Sequence, residues 1–191
     1  RFKNQVMLKR LIGVVSILND HVVQSISFKK YHPIGSPQVI VENLDRWQLD
    51  EVLINCFDRT KSNLGPNFTI MEKIAKLGTS TPITYMGGVR SLNDSINLIQ
   101  LGADRIGIET LFNTNYEEVI NISESLGRQA IIRSQSFILK NGKYLPYNYL
   151  EKKNYNYDLT DTLVSQSEYF SELLLIDKYN EGNINSFSNK V

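Results

Sequence analysis

The sequence predicts an α/β fold in which a parallel sheet carries helices on its outside. Three observations lead there. Short apolar runs of strand length alternate with segments of helical period, the connections are short, and Gly or Pro marks most of the changes. Two architectures satisfy that pattern, an open doubly wound sheet and a closed barrel. No Gly-x-Gly-x-x-Gly follows the first strand, which argues against a dinucleotide site. Six strand–helix units in 191 residues are in turn fewer than an eightfold barrel needs, about 250 residues.

Residues 11–17, LIGVVSI, form the first predicted strand, and Asn19-Asp20 the turn after it. Val22 to Phe28 continues as extended chain, and 29–37 reads as a loop rich in Lys, Gly and Pro. Ser36-Pro37 opens a helix, because proline suits the first turn, and VIVENLDRW continues it. EVLINCF (51–57) is the second strand. A polar loop, DRTKSNLGP, leads to the helix FTIMEKIAKLG, which Gly78 ends. PITYM (82–86) is the third strand, followed by Gly87-Gly88 and a helix from Ser91 to Gly102. RIGIE (105–109) is the fourth strand, and a helix over 115–126 stops at Gly127. AIIRSQSF (130–137) is the fifth. The Asn-, Tyr- and Lys-rich stretch 141–158 reads as a loop or hairpin insertion. A helix from Thr160 to Ser171 and a sixth strand, ELLLID (172–177), complete the run. Residues 178–191 are expected to be a mobile loop on the active side. The whole is expected to be one domain, 1–191.

Lys+Arg minus Asp+Glu is 21 − 20 = +1, so the molecule has no global field for gathering nucleic acid or anionic lipid. Neither partner is expected. No run of 18 apolar residues is present, and RFKNQVMLKR lacks the core of a signal peptide. Met7 sits six residues inside the chain, which suggests a piece of something longer. Cys56 is the single cysteine, so an internal disulfide and a multi-cysteine zinc site are both excluded. That fits a cytoplasmic protein, and no cofactor or metal is expected.

A faint internal repeat aligns WQLDEVLINC, LGADRIGIET and FSELLLID. Each has a short connection into a strand that opens on a charge: Glu51, Arg105 or Glu172, on the second, fourth and sixth strands. Side chains alternate along a strand, and alternate strands of a barrel feed the same interior layer. The three charges therefore converge at the N-terminal mouth of a barrel, with Arg10 as a second cation. Two acids and two bases then neutralise one another, as buried charges must.

The stretches KRLIGVVSILNDHVV, MGGVRSLNDSINLIQLGADRIGIET and ELLLIDKYNEGN resemble the cyclase subunit of imidazole glycerol phosphate synthase, over roughly residues 8–184. The resemblance implies a (β/α)8 barrel that pairs with a glutaminase subunit. This chain covers about six of its strand–helix units, so the natural protein is expected to run to about 250 residues. FKKYHPIGSP and GPNFTIMEKIA are similar to a divergent group associated with bacterial surface-polysaccharide amidotransferases. There, barrel and glutaminase supply ammonia to a third enzyme that amidates a sugar.

The resemblance places the family's two catalytic acids at Ser16 and Gln135, neither of which titrates near neutral pH. Cyclase chemistry is therefore expected to be lost. A family acid at the end of the second strand becomes Cys56, and a first-loop lysine becomes Gln24. The usual Asn-Thr after the fourth strand is Glu109-Thr110, whose carboxylate repels a phosphate monoester. Gly87 and Gly88 are candidates to present N–H groups to a phosphorylated small molecule, or simply a tight turn. The family's ammonia entrance, a ring of four charges facing the glutaminase, falls on Arg10, Glu51, Arg105 and Glu172. A salt-bridged plug that only stabilises the barrel floor is the alternative.

Among other residues, His21 and His32 read as turn and loop side chains, and Cys56 as a buried small hydrophobe. Asp58 and Glu109 are the surviving acids at the C-terminal side. Tyr144 to Tyr157, with Lys152 and Lys153, reads as a packed hairpin rather than a nucleic-acid surface. Three functions stand open on the sequence. The first is an ammonia-conducting barrel subunit that docks a glutaminase and serves a sugar amidotransferase. The second is an active cyclase of histidine biosynthesis, and the third a non-catalytic scaffold or fragment.

Overall fold

A computed structural model describes residues 9–155, 157 and 159–184. Met7, part of the 141–158 insertion and the end of the expected tail loop lie outside the described residues. Six parallel strands form the frame: β1 (Ile12–Leu18), β4 (Glu51–Cys56), β5 (Ile83–Met86), β6 (Arg105–Ile108), β7 (Ile131–Lys140) and β10 (Glu172–Asp177). They pair in chain order, β1-β4-β5-β6-β7, with β10 on the free side of β7. A doubly wound sheet reverses its strand order at a switch point, and this one never does. The result is an unclosed arc of a barrel.

Helices cover the outer face. They are α1 (Pro37–Arg46), α3 (Phe68–Ala75), α4 (Leu92–Gln100) and α6 (Tyr116–Leu126). Val41, Ile70, Ile74, Leu98, Val119 and Ile122 pack on the outward residues Val15, Ile54, Tyr85, Ile106 and Ile131, all at 3% exposure or less. Side-chain caps fix three of the helix starts. Asn67, Ser91 and Asn115 accept from Ile70, Asp94 and Glu118 N–H respectively. Pro37 sits in the first turn of α1, as its fixed φ favours.

The extended segment after β1 folds further than the sequence suggested. Asn19 and Asp20 both take positive φ, the pairing geometry of a two-residue hairpin turn, and join β1 to β2 (His21–Ile26). The predicted loop 29–37 is instead largely β3 (Lys30–Gly35), antiparallel to β2 with a bulge at Val22/Val23. Its Lys, Pro and Gly content disguised a strand, yet β3 is an outer edge, where Pro33 costs no central ladder bond.

A second hairpin rises at the other side. β7 outruns its parallel partners and turns at Asn141-Gly142 into β8 (Lys143–Asn148), which pairs the two-residue β9 (Lys153–Asn154). The predicted helix 160–171 is shorter, α7 (Leu159–Ser165), followed by a 3-10 turn over Ser167–Tyr169. Two short helices went unforeseen: α2 (Asp58–Lys61) in the polar loop after β4, and α5 (Leu111–Thr114) after β6. Residues 178–184 cross to the first hairpin, where Ser27 N–H donates to Glu181 O at 2.8 Å.

Candidate functional site

The floor of the arc holds a closed cycle of alternating charge. Arg10 Nη1 lies 3.5 Å from Glu51 Oε2, and its Nη2 lies 2.5 Å from Glu172 Oε2. Arg105 contacts the same Glu51 oxygen through Nη2 and meets Glu172 Oε1 at 2.7 Å through Nη1. Each cation thus touches both acids. The register explains the meeting: Glu51 pairs Ile12, Arg105 pairs Thr84, and Glu172 pairs Ile132, so all stand at the N-terminal ends of their strands. Sequence reading missed Thr84, whose hydroxyl donates to the other Glu51 oxygen. Glu51 is almost fully buried, whereas Arg10 keeps nearly half of its surface in solvent. Burial alone would raise the Glu172 carboxyl pKa, but the bonds and charges of Arg105 and Arg10 prevail and hold it below the ordinary value.

Two large apolar side chains are exposed at this end of the arc. Trp47, just after α1, is 72% exposed and Leu11 65% exposed. The 47–50 turn is tied to Leu11 by bonds in both directions, Leu11 N–H to Asp50 Oδ2 at 2.6 Å and Asp50 N–H to Leu11 O at 3.1 Å.

The C-terminal mouth opens into a cavity of about 390 Å³. Glu109, just past β6, lies at it. Its Oε1 accepts from Ser136 N–H at 2.9 Å and its Oε2 from Ser134 Oγ at 3.0 Å. Burial pushes its carboxyl above the ordinary range, against the pull of those bonds and of the Arg133 charge. Thr110 Oγ1 and the Tyr149 hydroxyl share a hydrogen bond of 2.9 Å.

Gly87 and Gly88 line the same cavity, but one of the two expected anion donors is already taken by a protein atom. Gly88 N–H donates to Thr60 Oγ1, and in the first turn of α4 Leu92 N–H donates to Glu118 and Asp94 N–H to Ser91. The positive φ of the two glycines answers to crowding instead. A Cβ at Gly87 would meet Cys56 O at 2.2 Å, and one at Gly88 would meet Gly65 backbone at 2.7 Å.

The two positions expected for catalytic acids part company. Ser16 faces the gap between β1 and β10, alongside Gln24, Asn55 and Ile176. Gln135 does not face the mouth at all. It shares the outward face of β7 with Arg133, whose Nη2 donates to Gln135 Oε1 at 3.1 Å. The residue that reaches the cavity from β7 is Ser136, a one-residue difference that inverts the face. Arg133 is itself buried, with its guanidinium 4.5 Å from the Phe112 ring centre; burial lowers its pKa to about 10.

The remaining candidates are scattered. His21 is exposed, its Nδ1 2.8 Å from Asn19 O, and His32 is exposed on β3. Cys56 is fully buried, which pushes its thiol up to about 12 and leaves it without thiolate character near neutral pH. Asp58 accepts from Asn19 N–H at 3.0 Å and ties α2 to the first turn. Among the described residues no cluster of three or more His, Cys, Asp or Glu could hold a metal ion, and no helix is long and apolar enough to cross a membrane.

Residues 10–182 match the family model described as histidine biosynthesis protein. A putative imidazole glycerol phosphate synthase subunit hisF2 of Vibrio vulnificus is 30% identical over 172 residues, 90% of this chain and 63% of that protein. The protein of the same name in Campylobacter jejuni is 31% identical over 150 residues, 76% of this chain and 60% of its own. The imidazole glycerol phosphate synthase subunit HisF of Natranaerobius thermophilus is 27% identical over 126 residues, 66% of this chain and 50% of its own. The chain thus spans less than two thirds of the length of these relatives.

Proposed function

The chain belongs to the histidine biosynthesis protein family, and from that premise we propose that it is a cyclase-like barrel subunit of a glutamine amidotransferase. It docks a glutaminase on its N-terminal face and conducts ammonia toward the C-terminal mouth, for use by a sugar-modifying amidotransferase. The carrying observation is the closed cycle Arg10–Glu51–Arg105–Glu172. Four charges that satisfy one another leave no free partner for an ion at the floor. A small neutral molecule passes when one arm swings aside. Arg10 is that arm, since it is the most exposed of the four and makes the 3.5 Å contact, the longest in the cycle.

The interior above the cycle suits a neutral passenger. Leu53, Met86, Leu174 and Ile176 line the two cavities there, and Gly107 leaves room beside Met86. The exposed Trp47 and Leu11 supply the apolar core that a docking face needs, with the charged cycle as its polar neighbour. An active cyclase finds less support, because the proton-transfer positions carry Ser16 and, at the mouth, Ser136; among the described residues Glu109 is the single carboxylate lining the mouth cavity.

The test pairs the purified chain with its cognate glutaminase. Glutaminase activation and ammonia-dependent amidation are measured for wild type, Glu51→Ala and Arg105→Ala. Loss of delivery in both variants is expected, and unchanged activation and delivery in both would reject the gate.

A further inference from the structure

A net charge of +1 conceals a segregation of charge along the chain. The two hairpins, residues 19–35 and 138–154, hold six lysines, Lys29, Lys30, Lys140, Lys143, Lys152 and Lys153, against two acids, Asp20 and Glu151. That is 6 − 2 = +4 with histidine neutral, which leaves the rest of the chain at +1 − 4 = −3. All six lysines are exposed. Lys153 pairs with Glu151 at 2.5 Å, and the other five have no ion-pair partner among the described residues. Of the two acids, Asp20 is further engaged by Asn67, whose Nδ2 donates to it at 2.6 Å. Both hairpins stand at the C-terminal mouth, where Lys29 from the first and Lys152 from the second line the cavity.

The hairpins are tied into one platform by the segment that follows β10. Lys178 donates to Ser27 O at 3.0 Å and lies 5.6 Å from the Phe28 ring centre and 5.9 Å from that of Tyr147, so one cation holds a ring of each hairpin. Glu181, the acid of that segment, is taken up by the first hairpin, accepting from Ser25 Oγ at 3.1 Å and from Phe28 N–H at 3.0 Å. The same elements carry exposed apolar side chains: Leu139 at 48%, Leu150 at 38% and Tyr179 at 55%. A solvated surface intersperses charges of both signs. Unpaired charges of one sign beside exposed apolar groups instead match the rim and core of a protein interface.

Ammonia that leaves the mouth into water at neutral pH takes up a proton and loses the lone pair that attacks an acceptor. An outlet that serves a second enzyme is therefore closed by that enzyme. We propose that the C-terminal mouth face is a docking surface for the ammonia-consuming enzyme, which presents an acidic protein face to the two lysine hairpins. The hairpin lysines steer the encounter, and Leu139, Leu150 and Tyr179 supply apolar contact once the faces meet. The identity of this partner rests on the ammonia-conducting reading above. A nucleic acid suits the face less well, because its charge runs on past the hairpins over a remainder that is net negative.

Biolayer interferometry tests it with the full chain immobilised in complex with its glutaminase, and with the purified amidotransferase of the delivery test as the probe. The association rate is expected to fall at least about tenfold from low to high salt, roughly 50 to 300 mM. Lys29→Glu with Lys152→Glu, and separately Lys140→Glu with Lys143→Glu, are each expected to weaken amidotransferase binding at least about tenfold, with glutaminase docking and activation at wild-type values. Salt-independent association, unchanged binding of both double variants, competition between amidotransferase and glutaminase for the chain, or no amidotransferase binding at all would overturn the proposal. Tighter binding of an oligothymidylate of about 20 nucleotides than of the amidotransferase would also overturn it, and would give the face to a nucleic acid. The salt series needs no variant, so a misfolded substitution cannot hide the answer. Unchanged ammonia delivery in Glu51→Ala and Arg105→Ala rejects the gate and leaves the docking result standing, whereas absent docking with intact delivery rejects the surface alone.

Discussion

Arg105 opens β6 and Glu109 follows its last residue on the same side, four residues on and so about 13 Å from floor to mouth. Between them, on that side, is Gly107. A Cβ there would meet Met86 Cβ at 2.8 Å and its Cγ at 3.0 Å. The glycine therefore leaves the Met86 side chain the room it occupies between the ion cycle and the cavity. Gly107→Val should cost about 1–3 kcal/mol of stability through overpacking. If the interior conducts ammonia, delivery should fall while glutaminase docking stays constant. Parallel measurement of unfolding, docking affinity and ammonia transfer separates the effects.

The two acids of the cycle differ in burial, and that predicts unequal costs. Glu51→Ala takes one of Arg105's two acids and the acceptor for Thr84; with Glu51 only 2% exposed, a loss of about 1–3 kcal/mol is expected. Arg10→Ala removes a half-exposed arm, leaves Arg105 to serve both acids, and should cost less than about 1 kcal/mol. Urea unfolding midpoints of the two variants decide it. Equal losses would mean that the cycle does not depend on burial.

This contrast also shows what the sequence could reveal. Strand starts are marked by short connections and charged openings, so Glu51, Arg105 and Glu172 could be placed in one layer before any coordinates. The six parallel strands followed from the same rhythm, but their order did not, since the rhythm fits a doubly wound sheet as well as a barrel. Gln135 failed because AIIRSQSF has no polar alternation that fixes its face. Arg133, which charge alone would turn inward, instead lies buried under Phe112. The hairpin strand β3 failed because KYHPIG reads as punctuation, and only its place at a sheet edge tolerates that composition.

Glu109 and Glu172 should move stability in opposite directions with pH. The Glu172 pKa is depressed on folding, so its contribution is present above the ordinary carboxyl value of about 4.3 and lost as pH falls through the lower folded value. The Glu109 pKa is raised, so stability is full below the ordinary value and declines as pH climbs through the raised one. Glu172→Gln should thus be less stable than wild type at neutral pH, by less than about 1 kcal/mol given its exposure, with the gap closing in acid. Glu109→Gln should be more stable than wild type near neutral pH, again with the gap closing in acid. Unfolding midpoints across a pH series test both signs.

The face inversion on β7 separates two acid substitutions that sequence alone would treat as neighbours. Gln135→Asp puts a carboxylate on the side of the buried Arg133, which now has an amide oxygen 3.1 Å away but no close carboxylate among the described residues. Ser136→Asp puts it at the mouth beside Glu109, whose Oε1 already accepts from the same residue's N–H. Two carboxylates so placed cannot both ionise without penalty. Ser136→Asp should therefore destabilise by about 1–3 kcal/mol near neutral pH, and the loss should shrink in acid. Adding Glu109→Gln should restore most of it, because it removes one of the two charges. Gln135→Asp should show no such rescue, since its carboxylate lies on the opposite face from Glu109. A double-mutant cycle in unfolding free energy reads the coupling directly: a large 136–109 term with a negligible 135–109 term is expected, and the reverse would place Gln135 in the mouth after all.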